Sequence, residues 1–267
     1  MALNRPKKVK SISELNKLLK SNYIIEPKLD GSRHILKKEN GELKLLRENG
    51  RVKNSQFPEI IKAFEGVAQE IPDNTILDGE VCYLKSDLVA DFYSLLPREN
   101  LTDQTKINYL SKNKPLTFVA FDIIEYDSMN LKDYSLSKRH EYLNQIKTND
   151  RFKIIQNYSL DDFMTFNKTE MEGIVLKNLD STYNNNWYKH KFYVESDFKV
   201  IGYTSETRLI SALELSDQDN NYVGKVNYIN YPQTKEFANT LKGKIAVVIH
   251  QWTNKNKVKF PVLKELR

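Results

Sequence analysis

The stretch Glu26-Pro27-Lys28-Leu29-Asp30-Gly31-Ser32-Arg33-His34 follows an apolar run, Tyr23-Ile24-Ile25, and sets a lysine two residues ahead of an Asp-Gly pair and five ahead of an arginine. Asp-Gly between strand-like runs is a strong turn signal, so the local pattern reads as a hairpin in which Gly31 takes the positive φ such turns need. The hairpin leaves the charges unexplained. A nucleophilic lysine must lose its proton near neutral pH, and crowding by other cations is one way to lower its pKa. Alone, the stretch reads as a turn, because short motifs recur by chance.

Around it, Ser11-Ile12-Ser13-Glu14 forms a capping box, and Ile12, Leu15, Leu18 and Leu19 give the helical spacing of a short first helix ending near Lys20. Tyr23 to Lys53 alternates strand and turn at Asp30-Gly31, Asn40-Gly41 and Asn49-Gly50, as antiparallel sheet does. Pro58 to Phe64 and Leu136 to Ile146 read as helices, Thr75 to Leu84 and Thr117 to Ile124 as strands. After Val194 the texture changes to short strands such as Phe198–Ile201, Gly224–Val226 and Ile245–Ile249, with one helical stretch at Thr234 to Leu241. Some seventy residues of short strands resemble a small β-barrel of OB type. The reading is α+β, with residues 1–195 as the larger domain and 196–267 as the small all-β one.

The 267 residues suffice for a substantial core, and no apolar run approaches the roughly 18 residues that span a membrane. The opening MALNRPKKVK is basic but has neither an apolar core nor a small-residue cleavage site, so no secretory leader and an intracellular location are expected. A single cysteine, Cys82, excludes an internal disulfide and a cysteine-based zinc site, and it reads as a buried strand residue. The four histidines, His34, His140, His190 and His250, lack metal-ligand spacing and read as structural. The net charge of +6 fits a polyanionic partner or simply a solvated surface.

Five further stretches carry chemistry: LLRENG (Leu45–Gly50), ILDGEV (Ile76–Val81), VAFDII (Val119–Ile124), EGIVLK (Glu172–Lys177) and WYKHKF (Trp187–Phe192). Strand alternation in the last puts Lys189 and Lys191 on one face, where two ammonium groups can clamp a phosphate or guard a sheet edge. Glu80 and Glu172 sit at apolar strands, as rim residues or as ligands of a metal or hydroxyl. The guanidinium groups of Arg33 and Arg47 suit phosphate, which a fork of donors can hold twice. Phe121, between Ala120 and Asp122, reads by itself as core.

Together with EPKLDGSR, in this order and spacing, these stretches resemble the covalent nucleotidyltransferases, and most closely the ATP-dependent DNA ligases. The resemblance implies an adenylation domain of antiparallel sheets and flanking helices followed by an OB-fold domain, acting as a monomer on ATP and nicked duplex DNA, with no membrane partner. It implies that Lys28 is the nucleophile that becomes adenylated. Glu26 would lie beside the adenine, Phe121 would stack on it, and Glu80 would approach the ribose and the metal. Glu80 and Glu172 would hold Mg²⁺ or Mn²⁺, while Lys177, Lys189 and Lys191 would lie at the phosphates. Arg33 would meet the phosphate flanking the nick, and Arg47 phosphate or ribose. Sealing of this kind serves DNA repair, replication and recombination.

KVKFPVLKELR resembles the end of a ligase OB domain, with Arg267 at the start of the last family motif and facing the nucleotide. The family often continues with an aspartate and a lysine, so the motif is expected to be reduced or the chain truncated, with Lys264 or Lys255 as substitutes. Lys255, Lys257 and Lys259 alternate, which on a strand gives one DNA-facing row. With no added N-terminal DNA-binding domain and no room for a clamping insertion, a minimal ligase is expected. An RNA ligase, an mRNA-capping guanylyltransferase and a non-catalytic nucleic-acid-binding relative remain as alternatives.

Overall fold

The computed structural model describes residues 3–183, 186–206, 209–228, 235–253 and 256–267. Its contacts divide the chain into two units, Met1–Lys191 and Phe192–Arg267.

The first unit runs β1 (Lys7–Lys8), α1 (Ile12–Leu19), β2 (Tyr23–Pro27), β3 (Ser32–Glu39), β4 (Glu42–Arg47), α2 (Pro58–Glu65), β5 (Thr75–Cys82), α3 (Phe92–Glu99), α4 (Gln104–Asn113), β6 (Thr117–Tyr126), β7 (Met129–Asn130), α5 (Leu136–Leu143), β8 (Phe152–Ile154), α6 (Leu160–Thr165), β9 (Gly173–Asn178) and β10 (Trp187–Lys191). Its strands form two sheets, ordered β1-β10-β9-β2 and β4-β3-β5-β6-β7, with β8 parallel to β6. One face of the second sheet buries Leu36, Leu45, Leu77, Val81, Phe118 and Ile123 against Phe57, Ile60 and Phe64. The opposite face, through Ile35 and Ile124, meets Tyr183 and Trp187. Period-2 alternation therefore splits each central strand between an apolar core and an inter-sheet space.

EPKLDGSRH joins the two sheets, and the hairpin expected of it does not form. β2 pairs with β9, from Tyr23↔Asn178 to Pro27↔Ile174, whereas β3 pairs with β4 and β5. Asp30-Gly31 thus carries the chain from one sheet to the other. Gly31 is outside the positive-φ set. The demand on it is space: a Cβ there would overlap the Val81 carbonyl oxygen and lie 2.7 Å from Cys82 Sγ. The true tight hairpin is Asn40-Gly41, with φ of 51° and 75°, between β3 and β4.

Helix α1 forms as expected, but Ile12 is exposed. Its cap is half a capping box: Ser11 Oγ accepts from the Glu14 amide, while the Glu14 carboxylate accepts from Lys10 N. Cys82 is fully buried at the end of β5.

The second unit holds β11 (Val194–Glu206), β12 (Leu209–Ser216), β13 (Tyr222–Asn227), α7 (Lys235–Leu241), β14 (Ile245–Trp252) and β15 (Val258–Leu266), in the sheet order β13-β12-β11-β14-β15. Phe198, Val200, Leu213, Leu215, Val226, Ala246 and Val248 form its core. The two edge strands come back together, with Lys257 Nζ donating to the Tyr222 carbonyl and Gly224 lying against Val258. That near-closure is the OB barrel. Among the described residues no helix is long and apolar enough to cross a membrane.

Candidate active site

A cleft of about 260 Å³ lies between the two sheets of the first unit, with Glu26, Lys28, Glu80, Phe121, Trp187 and Lys189 among its walls. Lys28 follows β2 directly, and its amide donates to the Gly173 carbonyl at 2.9 Å, fixing it to β9. Its ammonium meets Glu172 Oε2 at 2.9 Å, and Lys191 Nζ meets Oε1 of the same carboxylate at 2.7 Å. Gly173 makes this possible. A Cβ there would overlap the His190 carbonyl oxygen and sit 2.7 Å from Lys191 Cα, so only glycine lets β10 come close enough for Glu172 to bridge the two lysines.

The electrostatics correct one expectation. Burial pushes the Lys28 pKa down, but Glu172, Glu80 and Asp30 outweigh it, and the net direction is up. Among the lysines lining the cleft, Lys189 has its pKa lowered, by burial and then by Lys28 and Lys191. Glu80 is pushed up to about 8, first by burial and then by Glu172 and Asp78, with Lys28 and Arg33 opposing.

At the aromatic end of the cleft, Glu26 Oε2 pairs with Lys177 Nζ at 2.8 Å, and both side chains are buried. Lys177 also donates to the Phe121 carbonyl at 2.7 Å and lies over the rings of Trp187 and Phe121. Lys177 is therefore engaged with Glu26 and the aromatics. Phe121 owes its aim to a β-bulge: Asp78 pairs with Asp122 but Gly79 with Ala120, leaving Phe121 as the extra residue on β6.

Arg33 is committed inside the fold. Its Nε and Nη2 donate to Asp78 Oδ1 (2.9 Å) and Oδ2 (2.5 Å), Nη1 donates to the Asn4 carbonyl, and the guanidinium lies 5.4 Å from the Phe121 ring centre. Arg47 is not on the cleft. Its register partner is His34, so it shares that strand's core-side face and lies 3.5 Å from Glu99 Oε2. The next residue, Glu48, lines the cleft instead. Alternation held the signal, since Leu45 and Arg47 must share a face.

In the second unit two of the three lysines of the expected row are described, and each has other surroundings. Lys259 is buried, Lys257 reaches the Tyr222 carbonyl, and Lys255 lies outside the described residues. Arg267 exchanges backbone hydrogen bonds with Ile245, and its exposed side chain donates to Glu265 at 2.8 Å. Lys264 pairs with Glu195 at 2.8 Å.

Sequence reasoning missed Asp78, Asp122, Arg139, Arg5 and Glu48. Asp78 was legible, because it alternates in phase with Glu80. Arg139 was not: a helical arginine reads as surface, yet it is fully buried, with Nε and Nη2 on Asp122 at 2.8 and 2.9 Å.

A family model described as ATP dependent DNA ligase domain matches residues 5–193. The chain belongs to this family. Among curated ligase relatives, the SPbeta prophage-derived DNA ligase-like protein LigB of Bacillus subtilis is 29% identical over 196 residues, 69% of this chain and 67% of that protein. The multifunctional non-homologous end joining protein LigD of Pseudomonas aeruginosa is 26% identical over 226 residues, 78% of this chain but 26% of that protein. The chain thus spans about two thirds of the first relative and a quarter of the second. In fold it is similar to a structure from a study of Lig E DNA ligases as a minimal DNA-binding scaffold, with a TM-score of 0.71 at 15% identity, covering 100% of this chain and 99% of that one. The ligase domain of M. tuberculosis LigD gives 0.57 at 18% identity, covering 99% and 93%. ATP dependence marks the family.

Proposed function

We propose that the chain is an ATP-dependent DNA ligase that seals nicks in duplex DNA, with 1–195 as the adenylation domain and 196–267 as the OB domain. The observation that carries this reading is the ammonium of Lys28 at the cleft, sharing Glu172 with Lys191. Lys28 Nζ, once it has given up its proton, attacks the α-phosphorus of ATP, forming a P–N bond and releasing pyrophosphate. AMP then passes to the 5′-phosphate of a nick, and the neighbouring 3′-hydroxyl displaces it to close the strand. Adenylating the 5′-phosphate replaces a poor leaving oxygen at the nick by a good one, AMP.

The raised pKa keeps Lys28 protonated while Glu172 holds it. When Glu172 turns to other cations, burial and the charge of the neighbouring Lys189 favour the neutral amine, against Glu80 and Asp30. Lys189 and Lys191 hold the α-phosphate as charge develops there. Glu26 and Phe121 take the base, and Arg33, if released from Asp78, meets the nick phosphate. Arg267 is assigned to stabilising the charge of the departing pyrophosphate.

A divalent cation fits the donor set. Among the described residues no cluster of three or more His, Cys, Asp or Glu could hold one alone. Glu80 and Glu172 are two carboxylates, and Mg²⁺ is commonly held by one or two carboxylates together with substrate phosphates. The proton that burial leaves on Glu80 up to about pH 8 is one a hard cation displaces. Mg²⁺ or Mn²⁺, when bound, would neutralise phosphate charge in the transition state.

Labelled ATP, GTP and NAD offered separately to the purified protein test the reading, because the covalent adduct records the nucleotide used. An AMP adduct from ATP alone, lost in Lys28→Ala and in Lys28→Arg, is expected, since guanidinium stays protonated. A GMP adduct would point to capping chemistry, and sealing confined to RNA strands on a nicked-duplex panel to an RNA ligase. A wild-type adduct yield in Lys28→Ala would end the proposal.

A further inference from the structure

Two cleft residues, Arg5 and Glu48, had no role in the sequence reading. Arg5 belongs to a strap along the cleft, tied at one end to Arg33 and at the other to β10. Lys7 and Lys8 pair in parallel with Tyr188 and Lys189, the Val9 amide donates to the Lys189 carbonyl at 3.0 Å, and Arg33 donates to the Asn4 carbonyl. These contacts fix the backbone on both sides of Arg5. Its side chain is 77% exposed and donates from Nη2 to Glu48 Oε2 at 2.8 Å. A pair so exposed contributes little to folding, so stability is a weak reason for it. Its charge reaches the phosphate-side lysines, since Arg5 is among the cations that lower the Lys189 pKa, after burial, Lys28 and Lys191.

We propose that Arg5, positioned by Glu48, binds a phosphate group of the nucleotide, supplying at the cleft the guanidinium that Arg47, on the other face of β4, does not. One edge of the fork rests on Glu48, and Nε and Nη1 remain to donate to phosphate oxygens. This rests on the nucleotide reading above, and it names a cation from outside the motifs that carried that reading.

The test is equilibrium binding of ATP and of adenosine, in buffer with divalent cations chelated so that no covalent step intervenes, to wild type, Arg5→Ala, Arg5→Lys and Glu48→Gln. Loss of one charge-assisted hydrogen bond predicts about ten-fold or greater weakening of ATP binding in Arg5→Ala, with adenosine affinity within two-fold. Arg5→Lys should lie between. Glu48→Gln should weaken ATP less than Arg5→Ala does, and the double variant should be no worse than Arg5→Ala, as expected of residues acting in series. Unchanged ATP affinity in Arg5→Ala overturns the proposal. Equal loss for adenosine and ATP also overturns it, because the strap would then be packing against base or ribose, and absence of ATP binding by wild type does the same. Adding Mg²⁺ separates the two readings: wild type that binds ATP through Arg5 but forms no adduct refutes ligation and leaves Arg5 standing. Adduct formation with wild-type ATP dependence in Arg5→Ala refutes Arg5 alone.

Discussion

Glu26 Oε1 and His140 Nε2 face each other at 3.9 Å, too far for a hydrogen bond, in the buried wall behind the cleft. Burial dominates both and displaces them in opposite senses. Glu26 is raised from 4.5 to about 7 despite Lys177, and His140 is lowered from 6.5 to about 4, with Lys177 adding to the effect, Arg139 lowering and Asp122 raising it. Below its folded value Glu26 takes up a proton that the unfolded chain does not, so acidification from pH 7 to 4.5 favours the fold. His140 does the reverse, because the unfolded chain protonates first as pH falls from 6.5 to 4. Each displacement is on the order of 3 kcal/mol. The two nearly cancel in the wild type. His140→Gln should therefore make denaturant stability rise relative to wild type as pH falls from 6.5 to 4.5, and Glu26→Gln should make it fall; parallel pH profiles for all three proteins would refute the pairing. Behind the same wall Arg139→Met leaves the fully buried Asp122 uncompensated, at a cost of about 3–5 kcal/mol, whereas the exposed neighbour Lys138→Ala should leave stability essentially unchanged. Urea midpoints measure both.

At the scale of elements, glycines decide which strands approach. Gly173 has φ of 157° and the β10 backbone against it, whereas Gly41 has φ of 75° and nothing within 4 Å. Gly41→Ala should cost about 1 kcal/mol through φ alone and leave adduct formation intact. Gly173→Ala should cost more, and it should slow lysyl-AMP formation by an order of magnitude or greater in single turnover, because β10 carries Lys191 away from Glu172. Equal stability losses with normal adduct rates in both would refute that account. The same contrast explains what the sequence disclosed. Period-2 alternation located β5, β6, β10 and parts of β11, β13 and β14, and turn chemistry located the Asn40-Gly41 hairpin. Both are local. Asp30-Gly31 misled because a chain crossing between sheets and a hairpin look alike until strand partners are known. α3 went unassigned because Pro97 interrupts its helical pattern, and α4 because a single residue, Ile107, is its buried anchor. At the site, the ordered motifs brought out Lys28, Glu80, Glu172, Lys189 and Lys191, all near one carboxylate bridge. Arg47 and Lys259 failed for a different reason: residue type suggested phosphate, and only the register and burial say which way the side chain lies.

For the molecule as a whole, the excess of positive charge, +6 over 267 residues, is the feature that bears on a polyanionic partner. Neutralising phosphates releases condensed counterions, so affinity for nicked duplex should fall log-linearly with salt, by about 0.9 in slope for each phosphate contacted. A row formed by Lys255, Lys257 and Lys259 would reduce that slope by nearly three when removed. The barrel gives two of them other work: Lys259 is buried and Lys257 closes the β13 and β15 edges through the Tyr222 carbonyl. Lys259→Met should therefore leave the slope unchanged, since a buried ammonium holds no phosphate. Lys257→Ala should change it by less than about one and should lower the melting temperature as the edge contact is lost. Titrations of one nicked duplex at four or more salt concentrations, alongside thermal melts of each variant, decide the matter. A slope reduced by about one in Lys259→Met, with melting unaltered, would mean that β15 turns this lysine outward onto DNA and that the buried position belongs to the free protein alone.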